Sequence, residues 1–156
     1  MRRVQAEEMA ALLNSAARLI DLTVDDPRMR EALPVLAQLR PKLTLDAWRR
    51  IYAEGHPQGL RFTVVEAAGA IVAVAGWRLV SCTTAGRRLY VDDLVTDEAT
   101  RSSGHGKLLL VELEQRARAA GCTVMDLDSG VQRGDAHRFY FREQMTITAY
   151  HFTTSL

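Results

Sequence analysis

The chain has 156 residues, with 20 Lys and Arg side chains against 19 Asp and Glu, a formal net charge of +1, 47% apolar residues and 25% charged ones. That balance excludes the strong basic bias of a domain that lives on nucleic acid, and it resembles neither a disordered nor a fibrous chain. The longest apolar run, Ala67 to Trp77, is interrupted by Gly69 and Gly76 and falls short of the roughly 20 residues that a membrane-crossing helix needs.

A chain of this length supports one compact core, so a single domain over residues 1–156 is expected. Arg2 and Arg3 are followed by Gln5, Glu7 and Glu8 instead of an apolar signal-peptide core, which points to a cytoplasmic location without membrane attachment. Cys82 and Cys122 lie far apart and form no C-x-x-C pair, so they read as small core residues. No histidine pair has helical ligand spacing, and no metal is implied.

In chain order, a short strand is expected at Arg2 to Val4. Met9, Leu12, Leu13, Ala16, Ala17, Leu19 and Ile20 then recur at helical spacing, which predicts an amphipathic helix over residues 6 to 20. Asp25-Asp26-Pro27, Pro34, Pro41 and Pro57 are expected to break the next stretch into short helices, the last around Asp46 to Glu54 with Trp48 and Ile51 inward. From Leu60 the pattern becomes extended: Arg61 to Glu66, Ala70 to Val80 and Arg88 to Thr96, with turns at Ala67-Ala68-Gly69 and near Ala85-Gly86, read as an antiparallel meander. Gly104 to Ala120 reads as a helix stopped by Gly121, and Thr123 to Asp128 as the strand that completes a βαβ unit. A helix at Asp135 to Arg142 and a strand at Thr146 to Thr154 close the chain. The expected class is α/β (α+β), a mixed and mostly antiparallel sheet with helices on both faces.

The strongest chemical signal is Arg101-Ser102-Ser103-Gly104-His105-Gly106-Lys107, between a strand and an apolar helix. A strand leading through a glycine loop into a helix points unpaired N–H groups and the positive end of the helix dipole at one spot, which suits phosphate. Gly104 and Gly106 allow close approach to the main chain, and Arg101 and Lys107 add charge. A Walker loop is disfavoured because Leu108 follows Lys107, and a dinucleotide fingerprint because Leu109 stands where its third glycine belongs. Taken alone, the same short G-x-G is also the composition of a flexible turn.

R-S-S-G-H-G-K resembles the [Q/R]-x-x-G-x-[G/A] signature of GNAT acetyltransferases. Upstream, Val91-Asp92-Asp93-Leu94-Val95-Thr96-Asp97 resembles that family's fourth strand, and downstream Asp135-Ala136-His137-Arg138-Phe139-Tyr140 resembles its A-x-x-x-Y helix. The resemblance implies the GNAT fold and an acetyl-CoA-dependent N-acetyltransferase. It implies that residues 101 to 107 cradle the diphosphate, that a splayed, bulged backbone around Leu94, Val95 and Thr96 meets the pantetheine amides, and that Ser129, Asp135 and Arg138 add cofactor contacts. Gly130 to Tyr140 and the ending His151 to Leu156 look closest to aminoalkylphosphonate N-acetyltransferases and their relatives. Arg133 departs from an asparagine common in the family, and Gln144 from a helix-ending glycine.

An amine attacks a thioester only as the free base, and the departing thiolate needs a proton. Tyr140, placed at the sulfur by the resemblance, is the candidate acid, since a phenol titrates at about 10; its other reading is an apolar-face tyrosine packed with Phe139 or Phe141. Asp92 and Asp93 are candidates for anchoring the ammonium and leading its proton away. Strand alternation turns at most one of them toward the amine unless a bulge redirects either. Asp126 and Asp128 share a strand face, and Asp128 is expected to pair with Arg133 or Arg138 or to hold a second amine. His105 and His137 are expected at the surface, and Arg87 and Arg88 at a solvated strand end or against the adenosine phosphate. The acceptor is read as a small-molecule amine; an acetyl-CoA sensor and a protein lysine or N-terminal acetyltransferase are the other readings. The final strand, Ile147 to Thr153, suggests a homodimer.

Overall fold

The computed structural model describes residues 17–156. Two compact units divide the chain, residues 1–126 and residues 127–156. The strand expected at Arg2 to Val4 and most of the helix expected over 6 to 20 lie outside the described residues. Where that helix would end, Ala17–Leu22 is instead a strand, β1, paired antiparallel with residues 62–67. Asp21 between Ile20 and Leu22 suits the alternation of a strand as well as one face of a helix, and pairing with a buried neighbour decides it.

The first unit continues with helices α1 (Met29–Leu39) and α2 (Leu45–Gly55), strands β2 (Arg61–Ala67), β3 (Ala70–Cys82) and β4 (Gly86–Thr96), helix α3 (His105–Ala119) and strand β5 (Val124–Leu127). The strands form one sheet in the order β1-β2-β3-β4-β5, with antiparallel pairing from β1 through β4. The expected mixed α/β class and the meander hold, with ends shifted by one or two residues.

Two expectations about the helices fail. Pro34 lies inside α1 and does not end it. It sits on the exposed face, where water can take the Arg30 carbonyl that a proline leaves unbonded. Trp48 is buried, as expected, but Ile51 is 50% exposed; the inward residue one turn on is Tyr52. Thr44 caps α2, its hydroxyl accepting from the Ala47 N–H at 3.2 Å.

The face of the sheet under α1 and α2 is filled by Leu22, Phe62, Val64, Ile71 and Val74 against Met29, Leu36, Trp48 and Tyr52. Phe62 meets Trp48 edge-to-face at 5.2 Å and Tyr52 at 5.0 Å between ring centres. On α3, Leu108, Leu109, Leu113 and Ala117 are buried, each leucine contributing about 1.5–3 kcal/mol by leaving water. The far end of α3 is tied to β1: Arg116 donates to Asp21 Oδ1 at 2.8 Å and lies over the Trp77 ring. Thr63 links the same Asp21 oxygen to the Trp77 indole N–H.

The second unit holds one helix, α4 (Gly134–Arg142). The strand expected at Thr146 to Thr154, and so the pairing edge at Ile147 to Thr153, is absent: residues 145–156 carry no regular structure. Ile147, Tyr150 and Phe152 are instead largely exposed. Gln144 takes the left-handed conformation, φ 64°, in which a helix-ending glycine would stand. Its N–H reaches the Phe141 carbonyl and the Met145 N–H reaches that of Tyr140, so the helix still ends in the two-bond glycine-type cap.

Candidate active site

The register between β3 and β4 breaks once. Ala75 faces Leu94 and Gly76 faces Asp93, but Trp77 faces Val91, so Asp92 is an extra residue on β4. A bulge of this kind changes the alternation of side chains. Asp92 follows inward-facing Val91 and turns to the α1 side of the sheet, where Arg78 holds both its oxygens, Nε to Oδ2 at 2.9 Å and Nη2 to Oδ1 at 3.0 Å. Asp93, opposite Gly76, turns to that side as well, and its Oδ1 accepts from Arg40 Nε at 2.8 Å. The bulge that could redirect either carboxylate is thus present, and both take this face instead of the single one that plain alternation allows. The irregularity also lies at Asp92 and not around Leu94 and Val95, which pair regularly with Ala75 and Val74.

Asp93 has only 15% of its side chain exposed. Burial pushes its carboxyl above the usual range, opposed by Arg40 and Arg78 and assisted by the Asp92 charge. Gly76 makes this position possible, since a Cβ there would lie 2.9 Å from Asp93 Oδ2 and 2.8 Å from Phe62 Cε1.

Beyond Thr96 the chain makes a short 3-10 turn, Glu98–Thr100, entered through Asp97, whose carboxylate accepts from the Ala99 N–H at 3.2 Å. Asp97 N–H bonds the Val72 carbonyl at 2.8 Å and so fixes the end of β4 to β3. Two left-handed residues follow, Ser102 (φ 67°) and Gly104 (φ 83°), and Gly104 begins α3. Arg101, Ser102 and Ser103 are exposed, and Gly104, His105, Gly106 and Lys107 are half-buried.

The start of α3 lacks what a free-standing helix uses. No side chain caps it, no acid stands in its first turn, and Lys107 is there instead. His105 Nδ1 is buried without a hydrogen-bond partner among the described residues, so the ring does not simply point to solvent as expected. N–H groups with no partner among the described residues, together with the helix dipole, are features that suit an anion.

In the second unit, His137 Nε2 meets the Gly130 carbonyl at 2.9 Å, and Asp135 pairs with Arg138 at 2.5 Å. That pair lies within one helix and is largely exposed to solvent. Asp128 lies 3.3 Å from His151 Nδ1, a pairing the sequence did not suggest, and Ser129 lies half-buried beside it. Burial raises the Tyr140 phenol above its ordinary value, with the Arg133 charge opposing. Tyr140 also packs on Phe139, ring centres 5.4 Å apart, as its structural reading expects.

In the first unit Arg88 is taken by Asp126 at 2.9 Å and lies over Tyr90, while Arg87 bonds the Ala120 carbonyl at 2.9 Å. Both arginines fasten strand to strand and strand to helix.

The profile of the Acetyltransferase (GNAT) family matches residues 16–144. The chain belongs to the GNAT family. It is an acyltransferase of the N-acetyltransferase type with acetyl-CoA as its donor. An uncharacterised N-acetyltransferase of Bacillus subtilis, YhdJ, is 35% identical over 124 residues, 78% of this chain and 87% of that protein. The aminoalkylphosphonate N-acetyltransferase of Salmonella typhimurium is 36% identical over 66 residues, 42% of this chain and 43% of that protein. The crystal structure of a Trypanosoma brucei acetyltransferase superposes with a TM-score of 0.73 at 24% identity, covering 90% of this chain and 99% of that one, and so shares the GNAT fold.

The residues present fit acetyl-CoA. A helix start without a side-chain cap, beside an imidazole nitrogen that has no hydrogen-bond partner among the described residues, suits a diphosphate. Sequence reasoning missed Gln38, Arg40 and Arg78. An arginine ending an apolar run in β3 was a usable signal for Arg78; Gln38 and Arg40 carried none, because their partners lie more than fifty residues away.

Proposed function

We propose that this GNAT enzyme acetylates the primary amine of a small molecule by direct attack in a ternary complex, with residues 1–156 acting as one acetyltransferase domain. The observation that carries the reading is the bulge at Asp92, which turns two carboxylates to one face of the strand that runs on into the loop at residues 101–107.

Acetyl-CoA supplies the thioester carbonyl for attack when bound. The amides from Gly104 to Lys107 hold its diphosphate and the main chain of Leu94 to Thr96 its pantetheine arm, with Arg101, Ser102 and Ser103 lining the approach. Asp93 holds the incoming ammonium and accepts its proton; a carboxyl raised by burial is a better base than an ordinary one. As the C–S bond breaks, Tyr140 gives the leaving thiolate its proton and is restored by the proton that the newly bonded nitrogen sheds in becoming an amide, a role that rests on the family resemblance and on a phenol kept protonated by burial. Ser129, Asp135 and Arg138 complete the cofactor contacts.

Asp92 and Asp93 each have a guanidinium partner among the described residues, so the two carboxylates themselves add no excess negative charge. That balance suits an acceptor with one ammonium better than a polycation. The partial likeness to an aminoalkylphosphonate N-acetyltransferase favours the same class. A cytoplasmic homodimer belongs to the proposal, its contact resting on exposed Ile147, Tyr150 and Phe152 and not on a strand.

A panel of aminoalkylphosphonates, simple monoamines, polyamines and aminoglycosides, scored by CoA release, tests the reading. A monoamine should be turned over, and Tyr140→Phe should lower its kcat about a hundredfold or more, the usual worth of general acid–base catalysis. Acetyl-CoA binding with no CoA release from any amine would overturn the proposal, and an undiminished Tyr140→Phe rate would remove Tyr140 from its role.

A further inference from the structure

The last turn of α1 touches β4 and its exit at two separate points. Gln38 Nε2 donates to Asp97 Oδ1 at 3.0 Å, while its Oε1 accepts from the Glu98 N–H at 2.9 Å. This reciprocal pair fixes the turn that leads into Ser102 and Gly104. Arg40 donates from Nε to Asp93 Oδ1 at 2.8 Å and from Nη2 to the carbonyl of the bulged residue, Asp92, at 3.2 Å. Arg40 has left the helix, at φ −124° and ψ 73°, so its side chain departs from the direction that Gln38 takes. Two residues so close in sequence can therefore reach different parts of the site. The support behind them is firm: Met29, Ala32, Val35 and Leu36 seat α1 in the core.

We propose that Gln38 and Arg40 are positioning residues for acetyl transfer: the end of α1 sets the donor loop through Gln38 and the acceptor carboxylates through Arg40. The Arg40 half rests on the role proposed for Asp93. The Gln38 half rests only on acetyl-CoA being the donor. One rigid helix end thus holds the two half-sites in mutual register, which matters because misplacement by about 1 Å can cost a hundredfold in rate.

The test uses the full chain and three readouts: the acetyl-CoA dissociation constant by calorimetry without amine, steady-state constants with an accepted amine, and Tm. Gln38→Ala should weaken acetyl-CoA binding about two- to tenfold, the range for one or two lost hydrogen bonds, with little change in KM for the amine. Gln38→Glu should be worse, since two carboxylates would then face each other. The double variant Gln38→Glu with Asp97→Asn should recover part of the binding, because the amide introduced at position 97 can donate to the carboxylate introduced at position 38, although it no longer accepts there from the Ala99 N–H. Arg40→Met should leave acetyl-CoA binding alone and lower kcat about tenfold or more, with partial recovery in Arg40→Lys.

Unchanged acetyl-CoA affinity in both Gln38 variants would overturn the Gln38 half, and failure of the double variant to recover would do the same. Parallel loss of every constant in the Gln38 and Arg40 variants, in step with Tm, would reduce both residues to general supports and overturn the proposal. If the parent acetylated no amine, the proposed acceptor chemistry would fall together with the Arg40 half, whereas the Gln38 half is judged on acetyl-CoA affinity alone.

Discussion

Gly76→Ala tests how Asp93 is held. Gly76 stands opposite Asp93 at the bulge, and an added methyl would lie 2.8 Å from Phe62 Cε1 and 2.9 Å from Asp93 Oδ2. Both distances are about half an ångström or more inside ordinary contact. Phe62 is wedged between Trp48 and Tyr52 and has little room to retreat, so the carboxylate must give way. Overpacking costs about 1–3 kcal/mol, offset by roughly 0.5–1 kcal/mol for replacing a glycine inside a strand. A net loss of about 1 kcal/mol, at most about 2.5, should lower Tm by roughly 2–4 °C and at most about 10 °C in a chain of this size. A half-ångström shift of Asp93 from its 2.8 Å bond with Arg40 should lower kcat about ten- to hundredfold. The acetyl-CoA dissociation constant should stay unchanged, because the loop at residues 101–107 is not touched. Thermal unfolding, calorimetry and CoA release on the same preparation decide the matter. Parental Tm and kcat together would refute the claim that Asp93 depends on the space at Gly76.

Three further perturbations have defined outcomes. Burial raises the Asp93 carboxyl, so the folded chain holds that proton more tightly than the unfolded one; its contribution to stability is present at low pH and is lost as pH rises through the folded value. Asp93→Asn should therefore keep or raise Tm at pH 7 while kcat falls and the acid limb of the pH–rate profile, set above the ordinary carboxylate range, disappears; a drop in Tm with the limb intact would contradict this. Gln144→Gly should stabilise by about 0.5–1 kcal/mol, seen as a small rise in Tm, since glycine adopts φ 64° without strain. Thr63→Val should cost about 1–3 kcal/mol in chemical denaturation, because it keeps the shape but orphans the Trp77 indole N–H that Thr63 accepts at 3.0 Å.

What could be read from the sequence was what local pattern encodes. The run from Arg61 to Arg142 alternates or repeats at clear periods between glycine turns, and its strands, α3 and α4 lie where those periods put them. The glycine loop was legible because a strand, two glycines, two basic residues and an apolar helix follow one another directly. The errors came where tertiary partners decide. Ala17–Leu22 became a strand because β2 offered an edge, and Pro34 stayed inside α1 because its missing bond falls on the wet side. Side-chain direction at Asp92 and Asp93 depends on a register break that adjacent residues do not announce. The grips of Gln38 and Arg40 join segments more than fifty residues apart and follow from the fold alone.

The central claim is that main-chain amides at the start of α3 bind the diphosphate of acetyl-CoA. Amide hydrogen exchange, followed by NMR with and without CoA, tests it at single residues. The account predicts that the N–H groups of Gly104 to Lys107, uncapped in the free chain, become strongly protected on CoA addition, while a pantetheine analogue lacking the diphosphate protects Leu94 to Thr96 but not the loop. Exchange at Gly104 to Lys107 that is the same with and without saturating CoA would contradict it.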